Sequence, residues 1–585
     1  MFNSKKNSLF SPKENASVKE TSSASTMVRS NPFLGQDLKE ASATTDLGNG
    51  ALKYTTTGSD FVDQFGKVTQ YKKPRSFEEV SQDMSKLWGQ NKALTLALTF
   101  YIRMITRIVQ LFNGTKTSTT QRGQGLKHEG MFRMIWIAIN APETFWKNIP
   151  LFISVGSWKD VILMLSYDLQ YHGWENRKLD WNKFGQLILA GLENPKTSEL
   201  VKKYIPQIKS HSQCKTVEAQ ADTIISKWLC YLLFGPKEQN HTNGSLGSLH
   251  MSSSTYKKYR KLKVSGTAHE WQQLISQRRF FEIDFDSIHG RALAQIVSGK
   301  FLSNHHLVDK YEEWIASKPI AKYTGYVYEL LSPVKFGYRN KDLKKYQIDT
   351  INKQFYGMIE TAKNGMKTNS SLIVVVDSSS SMTSEVPGTK VSAYDIAKSM
   401  ALYFSYLLDG VFKKSWMEFA NGCEMRFWTG DTPVESLQND RSEAYGSTNF
   451  QSVADTFVKF KRQGVPEKDF PTGILCVSDG CFNHTASNKS NFKELMSKLR
   501  SAGFSKEYID NFKVILWDIP TYYYGKPQTA FEDFADAPNL FHMSGLDGSA
   551  IAFVTGTDYN PSTPKNSEEL FLAAMDQEIL SLLEV

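Results

Sequence analysis

The sequence predicts a multidomain protein: an all-α helical-repeat region followed by an α/β region with a doubly wound, mainly parallel sheet. Its 585 residues are enough for two or more domains. The first half shows successive helix patterns with almost no strand pattern between them, which is typical of helical-repeat architectures. The second half alternates buried strand patterns with helix patterns, which favours a parallel sheet with one antiparallel edge pair.

The helical region is expected to span residues 46–340, after a tail. Residues 1–45 are rich in Ser, Thr, Lys and Asn without periodicity, which indicates disorder. A capping box over Ser76–Glu79 predicts the start of one helix, and a strongly apolar pattern predicts another over Ala93–Phe112. Further helix patterns cover Met131–Asn140, Trp158–Tyr167, Phe184–Leu192, Ile224–Phe234, Ala268–Gln277, Ser287–Ser298 and Leu307–Ile315.

The α/β region is expected to span residues 345–585, with a helix over Asp342–Ala362 leading into it. Strand patterns cover Leu372–Val376, Ser415–Phe419, Met425–Trp428, Gly473–Val477, Phe512–Trp517 and Leu540–Met543. Helix patterns cover Tyr394–Leu408, Phe450–Phe460, Asn491–Ala502 and Ser567–Leu583.

A cluster of oxygen-bearing side chains follows the first of these strands. The apolar run Leu372–Val376 suits a strand buried on both faces, and Asp377 and four serines come directly after it. In open α/β sheets, ligands bind at the carboxyl ends of the strands. Asp377, Ser379 and Ser381 form a D-x-S-x-S pattern, whose oxygens are the ligands that Mg²⁺ prefers.

Two later segments extend this pattern. Thr448 lies just before the helix pattern Phe450–Phe460. Asp479 follows the strand pattern Gly473–Val477, with one residue between them. We therefore predict a Mg²⁺ or Mn²⁺ site. Its ligands are Asp377, Ser379, Ser381, Thr448 and Asp479. The alternative interpretation is that the serines only form a helix N-cap and loop cluster, where serine is common.

This order of D-x-S-x-S, Thr and strand-terminal Asp resembles the metal-ion-dependent adhesion site of von Willebrand factor A domains. One residue departs from the family pattern, because Ser380 stands where the family usually has Gly. If that position needs a positive φ, Ser380 would be strained and cation affinity would fall.

Charge is unevenly distributed along the chain. Residues 341–585 carry 24 Lys and Arg against 31 Asp and Glu, a net charge of −7. The chain totals of 69 and 60 leave 45 basic and 29 acidic residues in 1–340, a net charge of +16. A basic half joined to an acidic half suggests that the basic half meets a polyanion. An ordinary solvated basic surface is the alternative.

Composition restricts the class of protein further. The sequence has no run of eighteen or more apolar residues, so a membrane span is not expected. The N-terminal residues lack the apolar segment of a signal peptide. The five cysteines contain no C-x-x-C, which favours reduced thiols over disulfides or a zinc site. We therefore expect a cytoplasmic protein without a membrane partner.

Motifs in both halves resemble the TROVE-plus-von-Willebrand architecture of Ro-type RNA-binding proteins. Gly123–Met131 resembles the glycine-rich motif that connects helices in that family, and Ile149–Val161 resembles its Pro, then Gly-x-Trp-x-Asp helix turn. An uncharacterised TROVE-related family of plants, fungi and viruses is a closer match over Asn49–Gly58, Gly156–Asp160 and Gly446–Phe450. Asn449 departs from Ro-type proteins, which usually have Asp there.

The resemblance implies a HEAT-like helical ring that binds structured or misfolded RNA, closed by an A domain holding a divalent cation. RNA binding requires Lys or Arg for phosphates and flat side chains for unpaired bases. Tyr256–Lys263 supplies five cations and two tyrosines, of which Tyr259 is expected to stack on a base. The candidate RNA-binding residues are Arg122, Lys127, His128, Lys257, Lys258, Tyr259, Arg260, Lys261, Lys263, Arg278 and Arg279. For each of them, a solvated or packed structural role is the alternative.

Two classes of function stay open and a third is disfavoured. The favoured one is a non-enzymatic, RNA-binding ribonucleoprotein component. The second is a metal-dependent protein-interaction scaffold, in which a partner's carboxylate completes the shell of the cation. An enzyme is disfavoured, because the sequence has neither a G-x-S-x-G elbow nor a G-x-x-x-x-G-K-[ST] phosphate loop.

Overall fold

A computed structural model of the chain supports the predicted division between a helical part and an α/β part. The structure describes residues 44–46, 51–54, 59–67, 75–104, 107–109, 119–121, 123–208, 214–235, 253–265, 270–288, 290–323, 325–334, 342–363, 372–386, 389–407, 412–480, 482–483, 491–519, 538–544 and 566–585. Most of the tail over residues 1–45 lies outside these ranges.

The first part is built mainly of helices. Its helices are α1 Asp60–Lys67, α2 Phe77–Gln90, α3 Lys92–Arg103, α4 Lys127–Asn140, α5 Pro142–Val155, α6 Trp158–His172, α7 Trp181–Glu193, α8 Ser198–Tyr204, α9 Val217–Phe234, α10 Ser253–Ser265, α11 Glu270–Ser276, α12 Gly290–Ser298, α13 Phe301–Asn304, α14 Val308–Ala316, α15 Val327–Leu331 and α16 Lys345–Lys363. The capping box at the start of α2 is confirmed, with Ser76 and Glu79 capping each other's backbone N–H.

The helix predicted over Ala93–Phe112 is wrong at its C-terminal end. Helix α3 ends at Arg103, and Arg107–Val109 forms strand β3, which pairs with β4 Thr119–Gln121. The apolar pattern continues past Arg103, but four of its next six residues are β-branched, and such residues favour strands. The expectation of almost no strand in this half is also corrected by β1 Thr44–Asp46 and β2 Ala51–Tyr54.

The second part contains a mixed six-stranded sheet. Its strands are β5 Leu372–Asp377, β6 Ser415–Phe419, β7 Cys423–Phe427, β8 Gly473–Ser478, β10 Lys513–Asp518 and β11 Leu540–Ser544. The short strand β9 Phe482–Asn483 lies outside this sheet and pairs with β2. Their order across the sheet is β11-β10-β8-β5-β6-β7, and only the edge pair β6–β7 is antiparallel. All six strands lie within two residues of their predicted limits.

The sheet is covered on both faces, as alternate residues of its central strands show. Val374 and Val376 belong to the same hydrophobic cluster as helix α17 Ala393–Leu407. Ile373 and Val375 point to the other face, where they share a cluster with residues of three further helices, α19 Gln451–Arg462, α20 Asn491–Ser501 and α21 Lys506–Asn511. The helices of this part are α17, α18 Pro433–Asn439, α19 Gln451–Arg462, α20 Asn491–Ser501, α21 Lys506–Asn511 and α22 Ser567–Met575.

The last helix is shorter than predicted. Helix α22 ends at Met575, and the chain continues through a single 3₁₀ turn over Leu580–Leu582. Asp576 and Gln577 interrupt the apolar pattern there, and Gln577 caps the helix end by donating from its side-chain amide to the Ala574 carbonyl at 2.8 Å.

The chain ends tie the two parts together. Phe571 of α22 packs against Phe61 and Phe65 of α1, with ring centroids 5.9 and 5.6 Å apart. Near the C-terminus, the Glu584 N–H donates to the side-chain oxygen of Asn148 at 3.0 Å. Side chains of the helical part and of the sheet therefore share one hydrophobic cluster. Within the described ranges, none of the helices combines the length and apolar character that spanning a membrane requires.

Candidate functional site

The predicted cation ligands meet at the point where the strand order reverses. Strands β6 and β7 follow β5 on one side of the sheet, and strands β10 and β11 follow β8 on the other side. This reversal leaves a crevice at the carboxyl ends of the central neighbours β5 and β8. Asp377 is the last residue of β5, and Asp479 follows the last residue of β8. Neither side chain is exposed to solvent.

Asp377 is held in place by the two neighbouring loops. One carboxylate oxygen accepts from the Ser379 N–H at 2.8 Å, and the other accepts from the Ser478 hydroxyl at 2.5 Å. Burial, and then the negative charge of Asp479, raise the pKa of Asp377 to about 7. Two buried carboxylates at one sheet edge repel each other, and a divalent cation between them would offset that repulsion.

Hydrogen bonds connect the three loops that carry the other candidate ligands. Gly446 accepts at its carbonyl from the Ser380 N–H at 3.2 Å, which brings the Thr448 loop against the D-x-S-x-S loop. The Thr448 carbonyl accepts from the Asn483 N–H at 2.9 Å, which ties the same loop to the segment after Asp479. The five candidate ligands therefore lie on three connected loops at one end of the sheet.

The donor set is one that a hard cation accepts. The Ser379 and Ser381 hydroxyl oxygens lie 3.0 Å apart, and the Thr448 side chain is 5% exposed. Within the described ranges, no three His, Cys, Asp or Glu side chains converge on a point. A cation at this crevice must therefore draw on the hydroxyls as well as on Asp377 and Asp479, and this mixture of oxygens suits Mg²⁺ or Mn²⁺.

Ser380 is not strained, so the concern about its replacement of Gly does not hold. Ser380 begins a 3₁₀ turn that ends at Thr383, and it is absent from the described non-glycine residues with positive φ. Its hydroxyl also donates to the Gly446 carbonyl at 3.1 Å. A glycine would lose this contact, so serine at this position helps to connect the two loops.

Helix α10 divides its candidate RNA-binding residues between two faces. Tyr259 is fully buried, and its hydroxyl donates to the Pro206 carbonyl at 2.8 Å. Lys263 is also buried, and its ammonium group donates to carbonyls at the C-terminal end of α8. Burial favours the alternative interpretation for these two residues, in which they pack in a helix interface. The residues on the exposed face are Lys257, Lys258, Arg260 and Lys261.

The glycine-motif candidates lie at the start of α4. Lys127 is half-buried and His128 is exposed. His128 hydrogen-bonds Tyr167 of α6, and partial desolvation of its ring, followed by the charge of Lys127, lowers the pKa of its imidazole. Arg122 lies outside the described residues.

The remaining two candidates end helix α11. Arg278 has a φ of 59°, in the left-handed region that is common just after the end of a helix. Arg279 forms a two-pronged ion pair with Glu282 and is about half exposed. This pair is local and lies on the surface, so the structure does not bring Arg278 or Arg279 to the cations of α10 through any described contact.

Several residues of these sites were not found from the sequence. Ser478, which binds Asp377, and Asn483, which holds the Thr448 loop, lie beside predicted ligands but belong to no motif. Arg103 and Lys159, whose charges both act on Lys127 of the glycine motif, come from separate helices. Only the position of Lys159 next to Asp160 in the Gly-x-Trp-x-Asp turn could have drawn attention to it.

Comparisons with known proteins give little further information. No protein-family model matches the chain, and no curated protein matches it. Among solved structures, the chain is similar to the crystal structure of the Deinococcus radiodurans Ro (RSR) protein. The identity is 12%, the match covers 89% of this chain and 99% of that chain, and the TM-score is 0.35. Similarity at this level supports no assignment of residues or function, so the assignment rests on the geometry of this chain.

Proposed function

We propose that this protein binds RNA through its basic helical half and holds a divalent cation at the crevice of its acidic sheet half. The helical half would correspond to residues 46–340, as a HEAT-like and TROVE-like domain, and the sheet half to residues 345–585, as a von Willebrand factor A-like domain. Neither site is proposed to catalyse a reaction, and the cytoplasmic location stays a prediction from the sequence.

The exposed face of α10 is the observation that supports RNA binding most strongly. Lys257, Lys258, Arg260 and Lys261 are all exposed, and none of them is ion-paired within the described part of the chain. Their spacing of three and four residues places like charges next to each other on the helix, which destabilises it. Tyr259 and Lys263 anchor the opposite face. The helix therefore presents a fixed row of cations that a polyanion would stabilise.

A charge-neutralising variant tests this assignment. Replacing Lys257, Lys258, Arg260 and Lys261 with Gln should weaken binding to a short fluorescent oligouridylate. It should reduce the slope of log affinity against log salt by up to about 2.8, at about 0.7 for each lost phosphate contact. An unchanged slope would show that α10 does not contact the RNA backbone.

A matched control comes from the sheet half. It replaces with Gln four exposed cations that are not proposed to contact RNA. They are Lys459, Arg462, Lys468 and Lys506. This control should keep the affinity and the salt slope of the wild type. If it lowers both as much as the α10 variant does, net charge alone explains binding.

The cation site is supported by the buried pair Asp377 and Asp479 and by the hydroxyls that surround it. When bound, the cation would neutralise the two carboxylates and leave part of its shell for water or a partner's oxygen. Titration calorimetry with Mg²⁺ and with Mn²⁺ should show binding by the wild type and none by Asp377→Asn. The exposed Asp469→Asn variant should bind like the wild type. Equal binding by Asp377→Asn would remove Asp377 from the site.

The protein-interaction scaffold has one specific observation in its favour. Tyr445 is 67% exposed, and its backbone N–H donates to the Ser378 carbonyl at 2.7 Å, so a large aromatic ring borders the cation crevice. Exposed aromatic side chains are enriched at protein interfaces. A protein partner that remains bound after nuclease treatment, and is lost with Tyr445→Ser and with chelation, would favour the scaffold over RNA binding.

A further inference from the structure

The two N-terminal motifs of the helical half meet around one buried arginine. Arg103 of α3 is 2% exposed, and its guanidinium donates to the Asp160 carboxylate at 2.5 Å. A Cβ atom on Gly130 would lie 2.6 Å from the Arg103 Cβ, and one on Gly156 would lie 2.5 Å from the Asp160 carboxylate. Both glycines are therefore needed for α4 and α6 to approach Arg103.

This approach brings two lysines together. Lys127 is the first residue of α4 and Lys159 is the second residue of α6, so each lies in the first turn of its helix. The charge of Lys159 acts on Lys127, so the two ammonium groups lie close enough to repel each other. Burial, and then the charge of Lys159, lower the pKa of Lys127 to about 8.

Positive charge is in excess at this junction. Arg103, Lys127 and Lys159 are three cations, and Asp160 is the carboxylate among them. The Nε–H of Arg103 has no hydrogen-bond partner among the described residues. The positive ends of two helix dipoles add to the field, and cations are disfavoured at such ends. An anion between the lysines would reduce the repulsion between them and would interact favourably with the two helix ends.

Aromatic side chains continue from the lysines along one inclined ridge of α6. Lys159, Tyr167 and Tyr171 are separated by multiples of four residues, and each step of four residues turns by about 40° around the helix. Tyr171 therefore lies about 120° around α6 from Lys159, on the side that contacts α4. The His128 ring meets Tyr167 edge-on, with ring centroids 5.8 Å apart. Tyr171 is 45% exposed although it touches Phe132. From Lys159 to Tyr171 the helix rises about 18 Å, at 1.5 Å per residue.

We propose that this strip, from the Lys127–Lys159 pair to Tyr171, is a second contact for single-stranded RNA, in which the lysines bind a phosphate and Tyr171 stacks on a base. The inference rests on the proposed RNA-binding function and adds a site to it. Lys159 and Tyr171 are included in the proposed RNA contact because of where they lie on α6. His128, next to Lys127 in the chain, places its ring edge-on against Tyr167 and so extends the strip.

The two ends of the strip are tested separately, in the full-length protein, with a short fluorescent oligouridylate. Lys127→Met combined with Lys159→Met keeps the apolar stems and removes the charges. It should reduce the salt slope by about 0.7, the equivalent of the one phosphate that the two lysines bind. Tyr171→Ala should weaken binding by roughly five- to a hundred-fold with the slope unchanged, whereas Tyr171→Phe should bind like the wild type. Lys147→Met, an exposed lysine of α5, is the matched control and should change nothing.

The outcomes separate this inference from the proposed function. If the wild-type protein binds no RNA, both fail. If it binds and the α10 variant loses affinity while the Lys127/Lys159 and Tyr171 variants do not, only the strip is wrong. If Tyr171→Ala and Tyr171→Phe lower affinity equally, the ring does not stack on a base. Thermal melting of each variant identifies any loss that comes from unfolding, and in that case Lys159→Gln alone, at an exposed position, decides the phosphate contact.

Discussion

The burial of Asp377 should make the stability of the folded protein depend on pH and on divalent cations. In the unfolded chain its pKa is the ordinary 3.8, and in the folded, cation-free protein it is about 7. Because the folded protein binds the Asp377 proton more tightly than the unfolded chain does, protonation of Asp377 stabilises the fold. This stabilisation is fully present below pH 4 and is lost as pH rises through about 7. The difference corresponds to roughly 4 kcal/mol of unfolding free energy, at 1.36 kcal/mol per pKa unit.

A divalent cation should reverse this loss. A cation that binds only the folded protein stabilises it by about 2.7 kcal/mol when it is present at a hundred times its dissociation constant. Urea unfolding between pH 4 and pH 8, in EDTA and in Mg²⁺, measures both effects. We expect wild-type stability in EDTA to fall with rising pH, and Mg²⁺ to restore it mainly above pH 6.

Asp377→Asn is the variant that isolates the carboxylate. It cannot ionise, so its stability in EDTA should lack the part of the pH dependence that comes from Asp377, and Mg²⁺ should have little effect. Titrating groups away from this site contribute equally to both proteins and cancel in the difference. If wild type and Asp377→Asn have the same pH dependence, or if Mg²⁺ stabilises both equally, the description of this site is wrong.

Three further predictions concern the helical half. Asp160→Asn leaves the buried charge of Arg103 without its partner, so we expect a loss of about 3–5 kcal/mol in urea unfolding; a loss below 1 kcal/mol would contradict the importance of this pair. Tyr259→Phe removes the hydrogen bond to Pro206 and should cost about 1 kcal/mol with unchanged RNA affinity; lower affinity at unchanged melting temperature would restore Tyr259 as an RNA contact. Gly156→Ala places a methyl group against Asp160, and we expect a cost of about 1–3 kcal/mol and weaker RNA binding; a variant as stable as the wild type would show that the close approach is not required.

The sheet and the crevice could be predicted from the sequence because their patterns are local. Buried parallel strands such as Leu372–Asp377 are continuous apolar runs, and the oxygen-bearing residues follow them directly. The order of strands cannot be read in this way, because it depends on which helices cover each face. Prediction was weaker where one pattern suits two structures, as at the end of α3, where β-branched residues continue an apolar run.

Helix α10 shows what a local pattern can and cannot give. The spacing of Tyr256, Tyr259 and Lys263 is that of one helix face, so the burial of Tyr259 was within reach of the sequence. The burial of Lys263 was not, because its partners are carbonyl groups at the end of another helix. The meeting of Lys127 and Lys159 likewise depends on helix packing around two glycines, which no spacing within one segment reveals.

Ultraviolet cross-linking of the full-length protein to a photoreactive oligouridylate, followed by mapping of the modified peptides, tests directly whether RNA binding lies in the helical half. We expect cross-links in peptides from α10 and from the strip on α4 and α6, all within that half. They should decrease with the α10 charge variant and persist in EDTA. Cross-links concentrated in residues 345–585, or lost on chelation, would contradict the division of RNA binding and cation binding between the two halves.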